Sequence, residues 1–268
     1  MSIYTNLVSY WSFDESSGNA SDTVSGNTLT NNNTVTYSSA KIRNGITTAS
    51  SGTKYMYIEN ASQTGLDITG DLSISIWFKT SSNVVHALSF MGVGTDGYGI
   101  SIGDAGGASG KLSIFRNSWT YGNTTVNDNS WKHVVVSFSG QIASIYVNGS
   151  LDATSSALGS PVSYTGRRSI GADRSGGKNF DGQIDEVAIW SRAITSGEVT
   201  TLYNSGTGVS LMPILLSDTL LSSDVISMLR TSVISTSESL SLSEFNLTDI
   251  GWNNMQRSTT TWTNLSKT

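Results

Sequence analysis

From residue 7 to residue 190 the chain repeatedly alternates apolar and polar positions. In Leu72-Ser73-Ile74-Ser75-Ile76-Trp77-Phe78, an extended backbone puts Leu72, Ile74, Ile76 and Phe78 on one side, with Ser73, Ser75 and Trp77 on the other. His133-Val134-Val135-Val136-Ser137-Phe138 repeats the pattern, with Val134, Val136 and Phe138 facing inward. Ile142 to Val147 reads as a third strand and runs into Asn148-Gly149, a pair that tolerates positive φ and marks a tight hairpin. Ile184 to Trp190 is another strand. One segment departs from the period of two. Thr195-Ser-Gly-Glu198 fits a capping box, Val199, Leu202 and Tyr203 follow at helical spacing, and Asn204-Ser205-Gly206 stops the turn.

Many short strands with Gly- and Asn-rich turns predict an all-β fold, a two-sheet antiparallel jelly-roll sandwich closed by one short helix. Composition agrees. Of 268 residues, 27 are Gly and 2 are Pro, and only 13% are charged, which suits polar turns between strands and not long helices. The net charge of -5 and the absence of any Lys/Arg stripe argue against nucleic acid as a partner. With no cysteine, disulfides, thiolate zinc sites and cysteine nucleophiles are excluded. The first residues lack the basic stretch and apolar core of a secretory signal, so the expectation is a protein made and kept inside a cell or released by lysis. No apolar run is long enough to span a bilayer.

Beyond Gly208 the composition changes, and the sandwich is expected to occupy residues 1–208. Leu/Ser pairs dominate from 210 to 247, and Ser217-Asp218-Thr219-Leu220 returns as Ser237-Glu238-Ser239-Leu240. Trp252-Asn253-Asn254-Met255-Gln256-Arg257-Ser258 returns as Trp262-Thr263-Asn264-Leu265-Ser266-Lys267-Thr268. A unit this short cannot bury its own apolar side chains. Residues 209–268 are therefore expected to form an extended tail for self-association or docking, with Trp252, Asn254, Trp262 and Asn264 as its contacts.

Four blocks resemble laminin-G-like domains of the concanavalin A-like lectin/glucanase superfamily. The first is Leu7-Val8-Ser9-Tyr10-Trp11-Ser12-Phe13-Asp14-Glu15 with Gly18 and the loop from Asp22 to Gly26-Asn27. The second is Gly65-Leu66-Asp67-Ile68-Thr69, and the third is Trp131-Lys132-His133-Val134 with Ile145-Tyr146-Val147-Asn148-Gly149. The fourth is Phe180-Asp181-Gly182-Gln183-Ile184-Asp185-Glu186-Val187 with the capped helix to Leu202-Tyr203. The resemblance implies stacked antiparallel sheets with a curved face, and domains that bind glycans or proteins, often with calcium. Glucanases of the same superfamily place Glu-x-Asp-x-Glu on one strand. Here Gln183 stands in the nucleophile position and cannot form a glycosyl ester, and Val187 or Ala188 stands in the acid/base position. The chain is therefore expected not to be an enzyme. A glycoside hydrolase is the remote alternative.

Two kinds of binding site follow from residue type. Asp14, Asp22, Asn27 and Asp185 offer oxygen donors that suit structural calcium, with Asp22 in a tight loop. Asp22 equally fits an Asx-turn that caps its own backbone. For glycans, Trp119 and Tyr121 alternate onto one side beside Arg116, and Tyr98 and Asp173-Arg174 lie in glycine-rich loops that could sit nearby. The competing reading makes Trp119 and Tyr121 ordinary strand aromatics. The tail is loosely similar to the C-terminal ends of phage structural proteins. The sequence thus points to a lectin-like head on a docking tail, a virion component assembled in a host cytoplasm. A free or secreted carbohydrate-binding module or adhesin, at the cell surface or outside it, is the alternative.

Overall fold

The computed structural model describes residues 2–212, apart from 52, 85, 91–96, 104–108, 160–162 and 174. The strands are β1 (Leu7–Trp11), β2 (Thr30–Asn32), β3 (Thr36–Ser39), β4 (Asn44–Thr48), β5 (Tyr55–Ile58), β6 (Leu72–Lys79) and β7 (His86–Phe90). They continue as β8 (Gly99–Ile102), β9 (Lys111–Phe115), β10 (Trp119–Thr125), β11 (Lys132–Ser139), β12 (Ile142–Val147), β13 (Ser150–Thr154), β14 (Arg168–Ile170) and β15 (Gly182–Trp190). Among the described residues a single α-helix, α1 (Ser196–Tyr203), follows. One sheet runs β13-β12-β11-β6-β15-β4-β3, with β1 also pairing β15; the other runs β10-β9-β8-β7-β14-β5-β2. All strand pairings between these elements are antiparallel.

The alternation in β6 and β11 sets both register and core. Val134 lies opposite Ile76, Val136 opposite Ile74 and Phe138 opposite Leu72, and all six are buried between the sheets. A slip of one residue would turn every one of these side chains outward, so burial locks the pairing. The predicted hairpin is present. Asn148 and Gly149 have φ of 50° and 80°, and a Cβ on Gly149 would meet the Tyr203 ring at 2.8 Å. The capping box is present too: Thr195 Oγ1 accepts from the Glu198 amide at 3.2 Å, and Glu198 Oε2 accepts from the Thr195 amide at 2.7 Å. Arg192 clamps the same carboxylate at 2.6 Å.

Strand β15 carries a bulge. Its register to β6 shifts between Asp185 and Ala188, and Glu186 takes a φ of 50°. The extra residue resets the phase, so Ile184, Val187 and Ile189 all reach the inner core while Ala188 and Trp190 face out. The outward face is also covered. Tyr10, Val135, Ala188 and Trp190 form a second apolar cluster with Val199 and Leu202 of α1 and with Leu211. Beside it Trp77, only 2% exposed, stacks on His133 at 4.9 Å and on Tyr203 at 5.9 Å. Leu211 is 2% exposed, and one compact unit spans Met1–Pro213. The tail contacts Trp252, Asn254, Trp262 and Asn264 lie outside the described residues.

One lateral opening of the sandwich is stitched through Asp152, whose backbone carbonyl also accepts from Asn123 Nδ2 at 2.6 Å. Asp152 on β13 accepts from the amides of Asn123 (2.7 Å) and Thr124 (3.0 Å) on β10, the outermost strand of the other sheet. An edge strand otherwise presents unpaired donors to other chains. Asp152→Ala is expected to cost about 0.5–1.5 kcal/mol, because the freed amides are exposed to water, and to speed amide exchange at Asn123 and Thr124, read by hydrogen-exchange mass spectrometry. Unchanged exchange at those amides would refute the stitch.

Candidate functional site

Alternation places Trp119 and Tyr121 on one side of β10, as the sequence predicts. Trp119 packs on Phe115 of β9 with ring centroids 5.1 Å apart, and Tyr121 is 37% exposed. The polar partners expected beside them are elsewhere. Arg116 is 1% exposed; its guanidinium donates to the carbonyls of Gly70 (2.6 Å) and Gly140 (3.1 Å) and lies 4.7 Å over the Phe138 ring. Tyr98 is 1% exposed, in the inner core, and its hydroxyl donates to the Leu66 carbonyl at 3.0 Å. Both are corrections to the expected glycan face, since neither reaches solvent. Asp173 closes its own turn, accepting from the amides of Ser175 (2.9 Å) and Gly177 (2.8 Å). Arg174 lies outside the described residues.

The expected calcium ligands are engaged with hydrogen-bond donors. Asp22 Oδ1 accepts from the amides of Tyr10 (3.0 Å) and Val24 (2.9 Å), and Oδ2 from those of Ser25 (3.3 Å) and Asn27 (3.0 Å). Four N–H dipoles thus point at this carboxylate, and they would repel a cation. The Asn27 amide is spent on Ser9 Oγ (2.8 Å) and on both backbone groups of Thr64, at 2.9 and 2.7 Å. Asp14 binds the Asn44 amide at 3.2 Å and Arg43 at 3.3 Å. Asp185 is fully buried and accepts from the amides of Ile42 (2.8 Å) and Glu186 (2.9 Å). These four residues do not fit calcium, and no acidic or histidine cluster among the described residues is disposed to hold a metal. The Asx-turn reading of Asp22 is the one the geometry follows.

Asp185 and Glu186 form a buried acid pair. Desolvation pushes the Asp185 carboxyl up to about 8, against backbone amides that lower it and Asp14, which raises it further. Glu186 is also pushed to about 8, mainly by desolvation, with Tyr10 lowering it and Asp185 raising it. Glu186 Oε2 accepts from the Tyr10 hydroxyl, and Oε1 is buried without a partner. At 0% and 3% exposure, neither acid can touch a bound polysaccharide.

A different place has open space. A polar groove of about 340 Å³ opens where β4, β6 and β15 meet at one rim, lined by Thr47, Lys79, Ser81, Asn129, Asp181 and Gln183 among others. Its frame is tied together at Thr80, which is 2% exposed. Thr80 Oγ1 donates to the Asp181 carbonyl at 2.6 Å and accepts from the Ser82 amide at 3.0 Å, while the Thr80 carbonyl accepts from the Asn129 amide at 2.8 Å. A Cβ on Gly182 would collide with the Lys79 backbone carbonyl, so glycine lets β15 start tight against β6. Gln183 Nε2 donates to Ser38 Oγ and the Ser39 carbonyl, each at 3.2 Å, which fixes the amide and leaves Oε1 as an acceptor. Within the described residues, the side chains of Lys79, Ser81, Asn129 and Asp181 make no hydrogen bond or ion pair. The groove therefore offers both donors and acceptors, with a single carboxylate.

A family model of the laminin-G type, described as the concanavalin A-like lectin/glucanases superfamily, matches residues 50–200. The chain belongs to this superfamily. Solved structures agree on the fold. The binding domain of Paraclostridial Mosquitocidal Protein 1 superposes with a TM-score of 0.60 at 16% identity, over 75% of this chain and 52% of that one. The binding domain of botulinum neurotoxin serotype D gives 0.59 at 14% identity, again over 75% and 52%. Domain 4 of AbnA, an extracellular arabinanase from Geobacillus stearothermophilus solved with arabinotriose, gives 0.58 at 21% identity, over 73% and 97%. The chain thus spans about half the length of the toxin binding domains it resembles. No curated protein matches it by sequence.

In this concanavalin A-like sandwich the groove residues come from four distant stretches, 47–48, 79–82, 129 and 181–183, which read in the sequence as ordinary polar strand ends. The signal in the sequence is a polar run at the end of an apolar strand, as at Thr80-Ser81-Ser82 after β6. In the sequence Gln183 stands out only as the residue in the nucleophile position.

Proposed function

We propose that this superfamily member is a non-catalytic carbohydrate-binding module whose ligand lies in the groove at the ends of β4, β6 and β15. The observation that carries this is the set of uncommitted groups there: the Lys79 ammonium, the Asp181 carboxylate, the Asn129 amide and the Gln183 carbonyl, on a frame already tied through Thr80. Sugar hydroxyls both donate and accept, and a fixed mixture of donors and acceptors suits them. Glycoside hydrolysis needs two carboxylates flanking one bond, and among the described residues the groove has one. Asp185 and Glu186 are buried under their own hydrogen bonds.

Glycan-array screening of the full chain, followed by calorimetry with the hits and with arabinotriose as a first probe, tests the site. Asp181→Ala and Lys79→Ala are each expected to weaken binding roughly 10- to 100-fold with an unchanged melt, because hydrogen bonds to charged groups contribute about 1.5–3 kcal/mol. Trp119→Ala is expected to leave affinity unchanged. Loss of binding in Trp119→Ala alone would move the site to β10, and release of reducing ends from any bound polysaccharide would overturn the non-catalytic reading.

The setting we propose is a particle-borne head, a virion component displayed through residues 209–268. Support comes from the sequence: no cysteine, and a Trp-x-Asn unit that occurs twice, at 252–258 and 262–268. A full chain that sediments as an oligomer, beside a monomeric chain ending at Pro213, is the expected outcome. A monomeric full chain would favour the free-module reading.

A further inference from the structure

Tyr10 links the buried acid pair to the last described residues. Its hydroxyl donates to Glu186 Oε2, sits 2.9 Å from Ser210 Oγ, and is also met by the Leu211 backbone. Leu211 is 2% exposed, and with Met212 it packs against the cluster that contains Tyr10, Trp190 and Leu202. Among the described residues no strand pairing holds residues 209–212. Their attachment rests on one hydroxyl relay and the burial of Leu211.

We propose that residues 210–212 are a latch: with Glu186 neutral, Tyr10 holds the root of the C-terminal segment on the eight-stranded sheet, and ionised Glu186 releases it. The groups facing Glu186 make its charge costly. Asp185 lies beside it on β15, Asp14 follows β1, and both repel a second negative charge. Arg43, from the β3–β4 turn, is the favourable neighbour, but its side chain is 67% exposed and already paired to Asp14 at 3.3 Å. Glu186 Oε1 has no donor to stabilise a charge. Burying an unpaired carboxylate is expensive, and the least tethered cover over Tyr10 is the segment that must move to admit water. Burial raises the Glu186 pKa to about 8, which sets where release occurs.

The chain has no cysteine, so a nitroxide on Met212→Cys is a lone reporter in the full-length protein. Its spectrum is expected to pass from immobilised at pH 6 to mobile at pH 10, with far-UV circular dichroism unchanged. In a Glu186→Gln background the label is expected to stay immobilised throughout, because the amide keeps an acceptor for Tyr10 and cannot ionise. A second variant, Ser210→Ala, is expected to lose the immobilised component already at pH 6. A transition that persists in Glu186→Gln, an immobilised Ser210→Ala label at pH 6, or a parent spectrum that does not change with pH would each overturn the latch.

Discussion

Asp22→Ala is expected to destabilise the sandwich by roughly 2–5 kcal/mol, while the parent melts at the same temperature in calcium and in chelator. Both halves follow from the same four hydrogen bonds. Asp22 gathers the amides of Tyr10, Val24, Ser25 and Asn27, joining the first strand to the loop beside it. Leaving a buried donor unsatisfied costs about 1–3 kcal/mol, and Tyr10 and Asn27 are both buried at 1% exposure. The loss propagates, because the Asn27 carbonyl accepts from Trp11 Nε1 at 2.8 Å and its side chain bridges to Thr64. Asp22→Asn is expected to lose about half as much, since one oxygen remains an acceptor while the new NH₂ faces N–H groups. Calcium would have to displace all four amides to reach the carboxylate. Urea denaturation with and without chelator measures both effects, and a melt that rises with calcium would restore the metal reading.

The elements that sequence reading captured are those whose physics is local. The hairpin at Asn148-Gly149 needs two positive φ values, and the capping box at Thr195 and Glu198 needs one reciprocal hydrogen-bond pair. The inward faces of β6 and β11 follow from period two alone. Even the β15 bulge left a trace, because Ile184 is one residue out of phase with Val187 and Ile189. What depended on docking was not legible. Alternation in β11 turns Val135 to an outer face, and only the placement of α1 and Leu211 shows that face to be buried. Arg116, next to an Asn-Ser turn, reads as exposed; carbonyls from two other loops draw it inside. In the Asp22 loop the residue types leave calcium and an Asx-turn equally open, and only the folded chain shows the Tyr10 amide of β1 joining those of Val24, Ser25 and Asn27 on that carboxylate. The groove was hidden for the same reason, being an arrangement of strand ends that meet only in the folded protein.

Stability is expected to fall as pH rises from about 6.5 to about 8, and Glu186→Gln is expected to remove about half of that fall. Asp185 and Glu186 hold their protons up to about 8 in the folded chain, whereas their ordinary values are 3.8 and 4.5. Between those limits the native state binds more protons than the unfolded state, so each rise in pH favours unfolding; above about 8 the two states match and the effect is complete. His133 acts with the opposite sign. Burial between Trp77 and Tyr203 lowers it to about 3 from 6.5, so the unfolded state takes up the extra proton and stability rises with pH up to about 6.5. Asp128 and Glu198 are lowered to about 2, and their contribution is lost only in acid. The interval from 6.5 to 8 therefore reports the acid pair alone, at up to about 1.4 kcal/mol per pH unit for each proton. Glu186→Gln keeps an acceptor for Tyr10 and places an NH₂ at the oxygen that had no partner, so it gains on the parent above pH 8 and matches it near pH 5. Urea midpoints of the two proteins from pH 5 to 9 decide the matter: curves that converge toward acid and separate toward base are required, and parallel curves would mean Glu186 is charged in the native protein at neutral pH.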